Sequence, residues 1–285
     1  MPITAEQRAT RSRYLGSSDA PAVCGEDPYR SAADVWATKV YEVTDVEPSE
    51  VMELGNLFEP ALIRYAEKRF GFKFEQGGEF TSGVLISHPD GVDRERRVGC
   101  EAKFTGLRSE WGTEGSDEVP PRVLVQSQVH CLCADLDSVV VPVLLADFDR
   151  PRIALYQVPR HDSLIASISE RCETFWRDYV VPKVPPPPYV PALEVLERIA
   201  RRPETVTEIE AGAVAKWRAA REARIAAKTA EDEARAPVIA ALGEAEAGDF
   251  GDPDEWITYY QQHRRAYAVE ACDYRTLRVS KRGGR

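Results

Sequence analysis

The sequence predicts an α/β (α+β) fold: a central mixed sheet flanked by helices, followed by a helical arm and a short β segment. Three observations predict it. Residues 51–70 carry apolar side chains at helical spacing. Residues 72–104 break into short apolar runs separated by Gly, Pro and Asp, the texture of strands and turns. A helical stretch at 122–134 is then followed by two strand-like runs and a further amphipathic helix. The order helix, helix, strands, helix, strands, helix belongs to layered α/β architectures.

In chain order, Ser31-Ala-Ala-Asp34 has the form of a capping box opening a helix with Val35, Trp36 and Val40. Leu54, Leu57, Phe58, Ala61, Leu62 and Tyr65 then define one apolar helical face that Gly71 ends, with Pro60 expected to start or kink part of that helix. Phe72–Phe74, Val84–Ser87 and Val98–Phe104 are expected as strands. Ser138–Ala146 and Arg152–Val158 are expected as a strand pair turning at Asp147–Arg150. Leu164, Ile165, Ile168, Cys172, Phe175, Trp176 and Tyr179 mark a long helix. The run Pro182-Lys-Val-Pro-Pro-Pro-Pro-Tyr-Val-Pro191 stops it, because proline lacks an N–H and favours extended backbone. The expected organisation is a domain over 1–183, a Pro-rich linker over 184–207 and an arm over 208–285. Within the arm, 208–242 is rich in Ala, Glu, Arg and Lys and suits an exposed helix interrupted near Pro237. Residues 256–279 are expected to form one or two short strands around Tyr259, Tyr260 and Tyr267.

The 285 residues carry 37 Lys and Arg against 47 Asp and Glu, a net charge of -10, which excludes a surface that is basic throughout. A local basic groove remains compatible with it. From Tyr259 to Arg285 seven Arg or Lys face two acids, a local +5 suited to phosphate. No apolar run reaches the roughly 18–20 residues of a membrane span. The first thirteen residues hold three arginines and no apolar stretch, so no secretory leader is expected. Six cysteines at 24, 100, 131, 133, 172 and 272 contain no C-x-x-C and are expected as small buried hydrophobes in a reducing compartment. Four histidines at 88, 130, 161 and 263 contain no H-x-x-x-H pair, which argues against a histidine-built zinc site.

The residues that carry chemistry lie in four places. Asp90 sits in a Pro-Asp-Gly turn, and Glu101-Ala102-Lys103 follows in an expected strand, where alternation puts Glu101 and Lys103 on one face. A hairpin would bring Asp90 beside them. Two carboxylates suit Mg²⁺, and the lysine suits water positioning and transition-state charge; a surface ion pair between Glu101 and Lys103 is the structural alternative. Glu59, in Gly55-Asn-Leu-Phe-Glu59, is an acid beside an apolar face and needs a partner, either a metal or the helix start before Pro60. Gln126 and His130 are i, i+4 neighbours whose face either lines a cleft, towards phosphate or water, or is simply solvated. Arg11, Arg13 and Ser18 flank a Gly-Ser turn opening a helix, a place for a terminal phosphate, unless Ser18 or Asp19 only caps that helix.

Taken together these segments resemble a known family. Tyr14-Leu-Gly-Ser-Ser-Asp-Ala-Pro-Ala-Val-Cys-Gly25, Asp27-Pro-Tyr-Arg30, the helix with Trp36, Gly55-x-x-x-Glu59-Pro60, Pro89-Asp90-Gly91, Glu101-x-Lys103 and Gln126-x-Gln128 follow the order seen in YqaJ-type viral recombinase nucleases, relatives of lambda exonuclease. The resemblance spans about 11–180. It implies the PD-(D/E)xK restriction-endonuclease-like core, and Mg²⁺-dependent 5′-to-3′ digestion of one strand of linear double-stranded DNA during phage-type recombination. By position it implies Asp90, Glu101 and the Ala102 carbonyl as metal ligands, with Glu59 as an additional metal or water ligand. Two Mg²⁺ ions are expected, for which Mn²⁺ can substitute. Lys103 would position the nucleophilic water and Gln126 would support that end of the site. Arg11 or Arg13, with Ser18, would hold the 5′-phosphate of the DNA end. The family usually has a tyrosine shortly before the first glutamine; here the stretch is Pro120-Pro-Arg122, and Arg122 is a candidate phosphate contact in its place. The resemblance further implies a homotrimeric ring around DNA, a single-strand annealing protein as partner, and a bacterial host cytoplasm as the setting of a phage or prophage protein. Two alternatives are a Cas4-like nuclease of the same fold, which would need an iron–sulfur cluster, and a catalytically inactive DNA-end-binding phage protein.

Overall fold

A computed structural model describes residues 12–44, 49–106, 108–146, 151–187, 190–252 and 254–263. The chain divides into two units, the first ending at Pro203 and the second beginning at Glu204.

In the first unit, β1 (Leu15–Gly16) and α1 (Ala20–Cys24) are followed by α2 (Ala32–Val40) and α3 (Glu50–Phe70). Five short strands come next: β2 (Glu75–Gln76), β3 (Phe80–Ser82), β4 (Leu85–Ser87), β5 (Gly91–Asp93) and β6 (Val98–Cys100). After them stand β7 (Lys103–Thr105), α4 (Pro121–Cys133), β8 (Ser138–Leu145), β9 (Arg152–Pro159), α5 (Asp162–Phe175) and α6 (Leu193–Arg198). Strand β8 is the spine. It pairs in parallel with β6 and β7 along one edge and antiparallel with β9 along the other. β5 extends the sheet antiparallel to β6, and β2 extends it beyond β5. A small second sheet joins β1 in parallel to β4 and β3 antiparallel to β4.

β8 is buried along nearly its whole length, as a central strand covered on both faces must be. Alternation sends Val139, Val141 and Val143 into a cluster with Val123 and Cys131 of α4, Tyr156 of β9 and Ile165 of α5. Val140 points the other way, to Ala66 of α3, Val98 and Leu155. The sheet is therefore sandwiched between α3 and the α4–α5 layer. A further cluster joins α1, α2, α4 and α5 through Leu15, Val35, Trp36, Val129, Ile168 and Phe175. Cys24, Cys100, Cys131 and Cys172 are buried and free, as small hydrophobes would be.

The expected capping box forms: Ser31 Oγ accepts from Asp34 N at 3.2 Å, and Asp34 Oδ2 accepts from Ser31 N at 2.7 Å. Helix α3 differs from expectation. It runs without a break through Pro60, and of its apolar face only Leu62 and Ala66 are buried; Leu57 is 70% exposed, while Phe58 instead stacks on Phe104 of β7 at 6.0 Å. Pro60 is exposed, so its ring displaces nothing in the core. Phe72–Phe74 is not a strand; the pairing starts at Glu75, and its two rings pack as a ladder with Phe70 instead. The stretch expected as a linker, 184–207, carries α6. Its Ala192 N–H donates to Asp34 Oδ1 at 2.6 Å, and Ile199 bridges to Val43.

The second unit consists of α7 (Ala211–Leu242) and a strand pair, β10 (Ala247–Gly248) with β11 (Ile257–Thr258). Helix α7 continues through Pro237, where an interruption was expected, and none of its residues is buried. Tyr267 and the basic stretch from Arg264 onward lie outside the described residues, as does the turn at 147–150.

Candidate active site

The hairpin expected from the spacing of Asp90 and Glu101 forms between β5 and β6. Asp90 N donates to Cys100 O at 3.0 Å, which sets Asp90 opposite the Glu101-Ala102 step, and Ala102 N donates back to Asp90 Oδ2 at 2.7 Å. That N–H faces away from β8, because the preceding Glu101 N donates to Val140 O at 3.0 Å on the other edge. β6 and β7 hold one register along β8, and the two residues between them face Val141 and Pro142. Proline has no N–H to give, so the strand expected over 98–104 is split at the residues that carry the chemistry. Two glycines let the turn approach. A Cβ on Gly77 would lie 1.6 Å from Pro89 O, and one on Gly91 would lie 2.8 Å from Phe74 Cβ.

Glu101 is buried, and protein donors hold its Oε1, while its Oε2 has an ion-pair contact without a hydrogen bond of good geometry. Lys103 Nζ reaches Oε1 at 2.7 Å and Gln126 Nε2 reaches the same atom at 2.8 Å. Gln126 Oε1 in turn accepts from Lys103 Nζ at 2.9 Å. His130 Nε2 lies 3.0 Å from Oε2. Burial alone would push Glu101 upward, but the charges and hydrogen bonds of Lys103 and His130 outweigh it and bring the pKa down to about 2. Asp90 shifts the opposite way. Burial, then the charges of Glu101 and Glu59, raise it to about 8. Glu59 is also raised, by burial first and by Glu101 second, and Lys103 opposes the rise. Thus Asp90, Glu101, Glu59, Lys103 and Gln126 share one electrostatic site, with the Ala102 backbone against Asp90.

Among the described residues no three His, Cys, Asp or Glu side chains form a ready metal cage. Mg²⁺ does not need one, since it binds through one or two carboxylates and keeps several waters. The donor set fits such an ion: two carboxylates beside a backbone turn, and a mutual repulsion, visible in the raised Asp90 and Glu59, that a cation relieves.

An open cleft of about 340 Å³ lies beside these groups. Ser18, Arg30, Lys103, Trp111, Arg122 and Gln126 line it. Arg30 is tethered to buried Asp19 at 2.9 Å, and Lys39 holds the other oxygen of that carboxylate at 2.8 Å. Burial pulls Asp19 up, and Lys39 and Arg30 bring it below the usual carboxylate range. Arg122 pairs with Glu110 at 2.8 Å and lies over the Tyr29 ring at 5.3 Å. Arg13 is exposed and does not line the cleft, and Arg11 lies outside the described residues. The helix after Ser18 is one turn long with Pro21 inside it, so it offers few free amides, and Asp19 accepts from Gly16 N at 3.1 Å rather than capping it.

The motif reasoning missed Arg30, whose tether to Asp19 spans eleven residues, and Ser87, which precedes the His-Pro-Asp turn. It placed His130 on a cleft or solvated face, yet His130 is fully buried and turned towards Glu101. The signal for His130 was its i, i+4 relation to Gln126; nothing local in the chain marks Ser87.

The order of motifs along the chain matches a known family over residues 7–137. Over that stretch the sequence is similar to the YqaJ-like viral recombinase domain. The matched stretch holds every group of the site described above, from Ser18 to His130. Two solved structures have a similar chain path. One is an alkaline exonuclease, LHK-Exo, from Laribacter hongkongensis, 17% identical, with TM-score 0.49 over 61% of this chain and 92% of that one. The other is a phage related exonuclease from Haemophilus somnus 129PT, 14% identical, with TM-score 0.49 over 60% of this chain and 95% of that one. No curated protein matches.

Proposed function

We propose that this YqaJ-like chain is a Mg²⁺-dependent exonuclease that digests one strand of linear double-stranded DNA in the 5′-to-3′ direction. It would thereby prepare single strands for annealing in phage-type recombination. The observation that carries the proposal is the convergence of Asp90, Glu101, Lys103 and Gln126, from two strands, a turn and a helix, at the edge of a cleft lined by two arginines. Asp90, Glu101 and the Ala102 carbonyl would hold the ion, with Glu59 as a further ligand; two ions are proposed, and Mn²⁺ can replace Mg²⁺. When bound, the ion neutralises phosphate charge and favours hydroxide at neutral pH. Lys103 gives two of its three donors to Glu101 and Gln126, which fixes its ammonium at the cleft with one donor left for the attacking water or a phosphate oxygen. Gln126 holds both Lys103 and Glu101 and so fixes their separation.

The DNA end would enter the cleft. Ser18, Arg30 and Arg122 are the polar groups placed there to meet a 5′-phosphate, since guanidinium forks match phosphate oxygens. Arg13 and Arg11 are kept as contacts further along the DNA backbone. A homotrimeric ring, an annealing-protein partner and a bacterial cytoplasmic setting complete the proposal. None of the described helices is long and apolar enough to cross a membrane.

The test is digestion of linear duplexes with 5′-phosphate or 5′-hydroxyl ends, alongside closed circles, with Mg²⁺ or EDTA. Faster loss of the phosphorylated strand, intact circles and no loss in EDTA are expected. Cutting of circles would make the protein an endonuclease, and absence of cutting in both Mg²⁺ and Mn²⁺ would make it a DNA-end-binding protein.

A further inference from the structure

Behind Glu101, on the side away from the cleft, stands a chain of polar groups that the proposed chemistry does not use. Ser87 Oγ lies 2.6 Å from His130 Nδ1, and His130 Nε2 lies 3.0 Å from Glu101 Oε2. Ser87 and His130 are 0% exposed and Glu101 is 6% exposed. Burying three polar side chains in a core costs several kcal/mol unless their geometry satisfies them, and an apolar set of the same volume would pack as well. We propose that Ser87 and His130 are positioning residues: a buried brace that fixes the carboxylate plane of Glu101 and its distance from Asp90, and so sets the affinity of the site for a divalent cation. This rests on the assignment of Asp90 and Glu101 as ligands.

Three features support the brace. First, Gln126 and His130 stand one turn apart on α4 and face different oxygens of the same carboxylate, Gln126 by a hydrogen bond to Oε1 and His130 Nε2 by a 3.0 Å contact with Oε2 that only a small turn of the ring separates from a hydrogen bond. Two donors on one rigid helix face fix the plane of a carboxylate, whereas one leaves it free to swivel. Because His130 takes Oε2 into the core, Oε1 is the oxygen turned towards Lys103 and the cleft. Second, the two neighbours of the ring favour one tautomer: with its hydrogen on Nε2 the ring accepts from the Ser87 hydroxyl at Nδ1 and turns that hydrogen towards Glu101, whereas the other neutral tautomer sets a lone pair against a carboxylate. Third, Ser87 ends β4, and only His88 and Pro89 separate it from Asp90. The brace therefore ties the strand that delivers Asp90 to the carboxylate of Glu101, through a helix. The bond from Ala102 N to Asp90 closes the loop on the other side. Groups that orient a ligand in this way typically change metal affinity by about 10- to 100-fold when removed.

The full-length protein tests this directly. Mn²⁺ binding would be titrated by calorimetry, together with the Mn²⁺ concentration for half-maximal cleavage, in wild type, His130→Phe, His130→Gln and Ser87→Ala. His130→Phe keeps a planar ring and removes the donor; it should weaken Mn²⁺ binding and raise the half-maximal concentration about tenfold or more, with most of the cleavage rate regained at saturating Mn²⁺. His130→Gln restores an N–H and should recover part of the loss. Ser87→Ala keeps the ring and frees its tautomer; it should weaken binding severalfold, and it carries the test if His130→Phe does not fold. In metal-free wild type, ¹⁵N NMR should show hydrogen on Nε2 of His130. If variants melting like wild type bind Mn²⁺ with unchanged affinity, or if His130 carries hydrogen on Nδ1 alone, the brace is wrong and the nuclease proposal stands. If wild type itself neither binds Mn²⁺ nor cleaves, the ligand assignment fails.

Discussion

On the proposed mechanism, Lys103 is the residue whose removal should separate chemistry from binding. Its ammonium already sits between Glu101 and Gln126, so Lys103→Ala removes charge from the cleft without opening a core cavity. It should keep the melting temperature within a few degrees, keep linear-duplex binding, and cut the digestion rate by roughly 10²–10³-fold; a near-normal rate would place the chemistry elsewhere. Asp90 makes a prediction of opposite kind. Its folded pKa, raised to about 8, lies above the ordinary carboxylate value, so without metal the folded chain keeps a proton that the unfolded chain releases. Its contribution to stability is complete below pH 4 and is lost as pH rises through about 8. Asp90→Asn stays neutral throughout. In EDTA its melting temperature should exceed that of wild type by more at pH 8.5 than at pH 5, and a gap of constant size would show that Asp90 is not held protonated. The tight partners of Glu101 and the strained state of Asp90 describe one arrangement: one carboxylate fixed in place, and one made costly until a cation arrives.

At the scale of elements, the site depends on where hydrogen-bond ladders stop. Pro142 of β8 withdraws a donor opposite the Glu101-Ala102 step and the pairing is interrupted there, while Ala102 N, on the edge away from β8, donates to Asp90. Gly77 lets β2 approach the Pro89 carbonyl, immediately before Asp90. Gly77→Ala should therefore destabilise the fold by about 1–3 kcal/mol, the usual cost of overpacking, and should reduce Mn²⁺ binding as the Asp90 turn shifts. Chemical denaturation and Mn²⁺ titration check both; full retention of each would mean that this turn has slack. The element-level expectations that failed have physical causes. Periodicity marked Leu57 and Phe58 as core, but a helical stripe states only which side chains share a face. The buried neighbours of α3 begin at Leu62, and Phe58 finds its partner in a single ring, Phe104. Pro237 was read as an interruption and Pro60 as a start or kink, yet neither ends its helix, and both stand at exposed positions where the missing hydrogen bond opens onto solvent.

At the scale of the molecule, the described site groups and the cleft lie in the unit that ends at Pro203. A chain shortened to residues 1–203 should fold, melt cooperatively and retain Mg²⁺-dependent digestion of linear duplex. Loss of digestion with the fold intact would assign residues 204–285 a part in DNA engagement. Helix α7 has an unusual charge arrangement: between Ala211 and Lys228 five Lys or Arg face one Glu, while between Thr229 and Leu242 three acids face one Arg. The acids stand more than two turns before the helix end, beyond the reach of its dipole, so the pattern divides the helix into a basic and an acidic half without a dipole contribution from those acids.

The sequence by itself picked out Asp90, Glu101, Lys103 and Gln126 as candidates and set their order. Each local pattern, a turn, an alternating strand or a helix face, was weak alone, and their ordered resemblance to a known family carried the choice. The sequence also determined the layered α/β order, since each apolar period reports its own element. The tertiary structure alone decided which groups meet across the fold. Ser87 and His130 are 43 positions apart, and Arg30 and Arg122 reach one cleft from separate segments while Arg13 stays outside it. Such meetings depend on sheet register and helix docking, which arise from the packing of many distant side chains at once. No local run of residues encodes them.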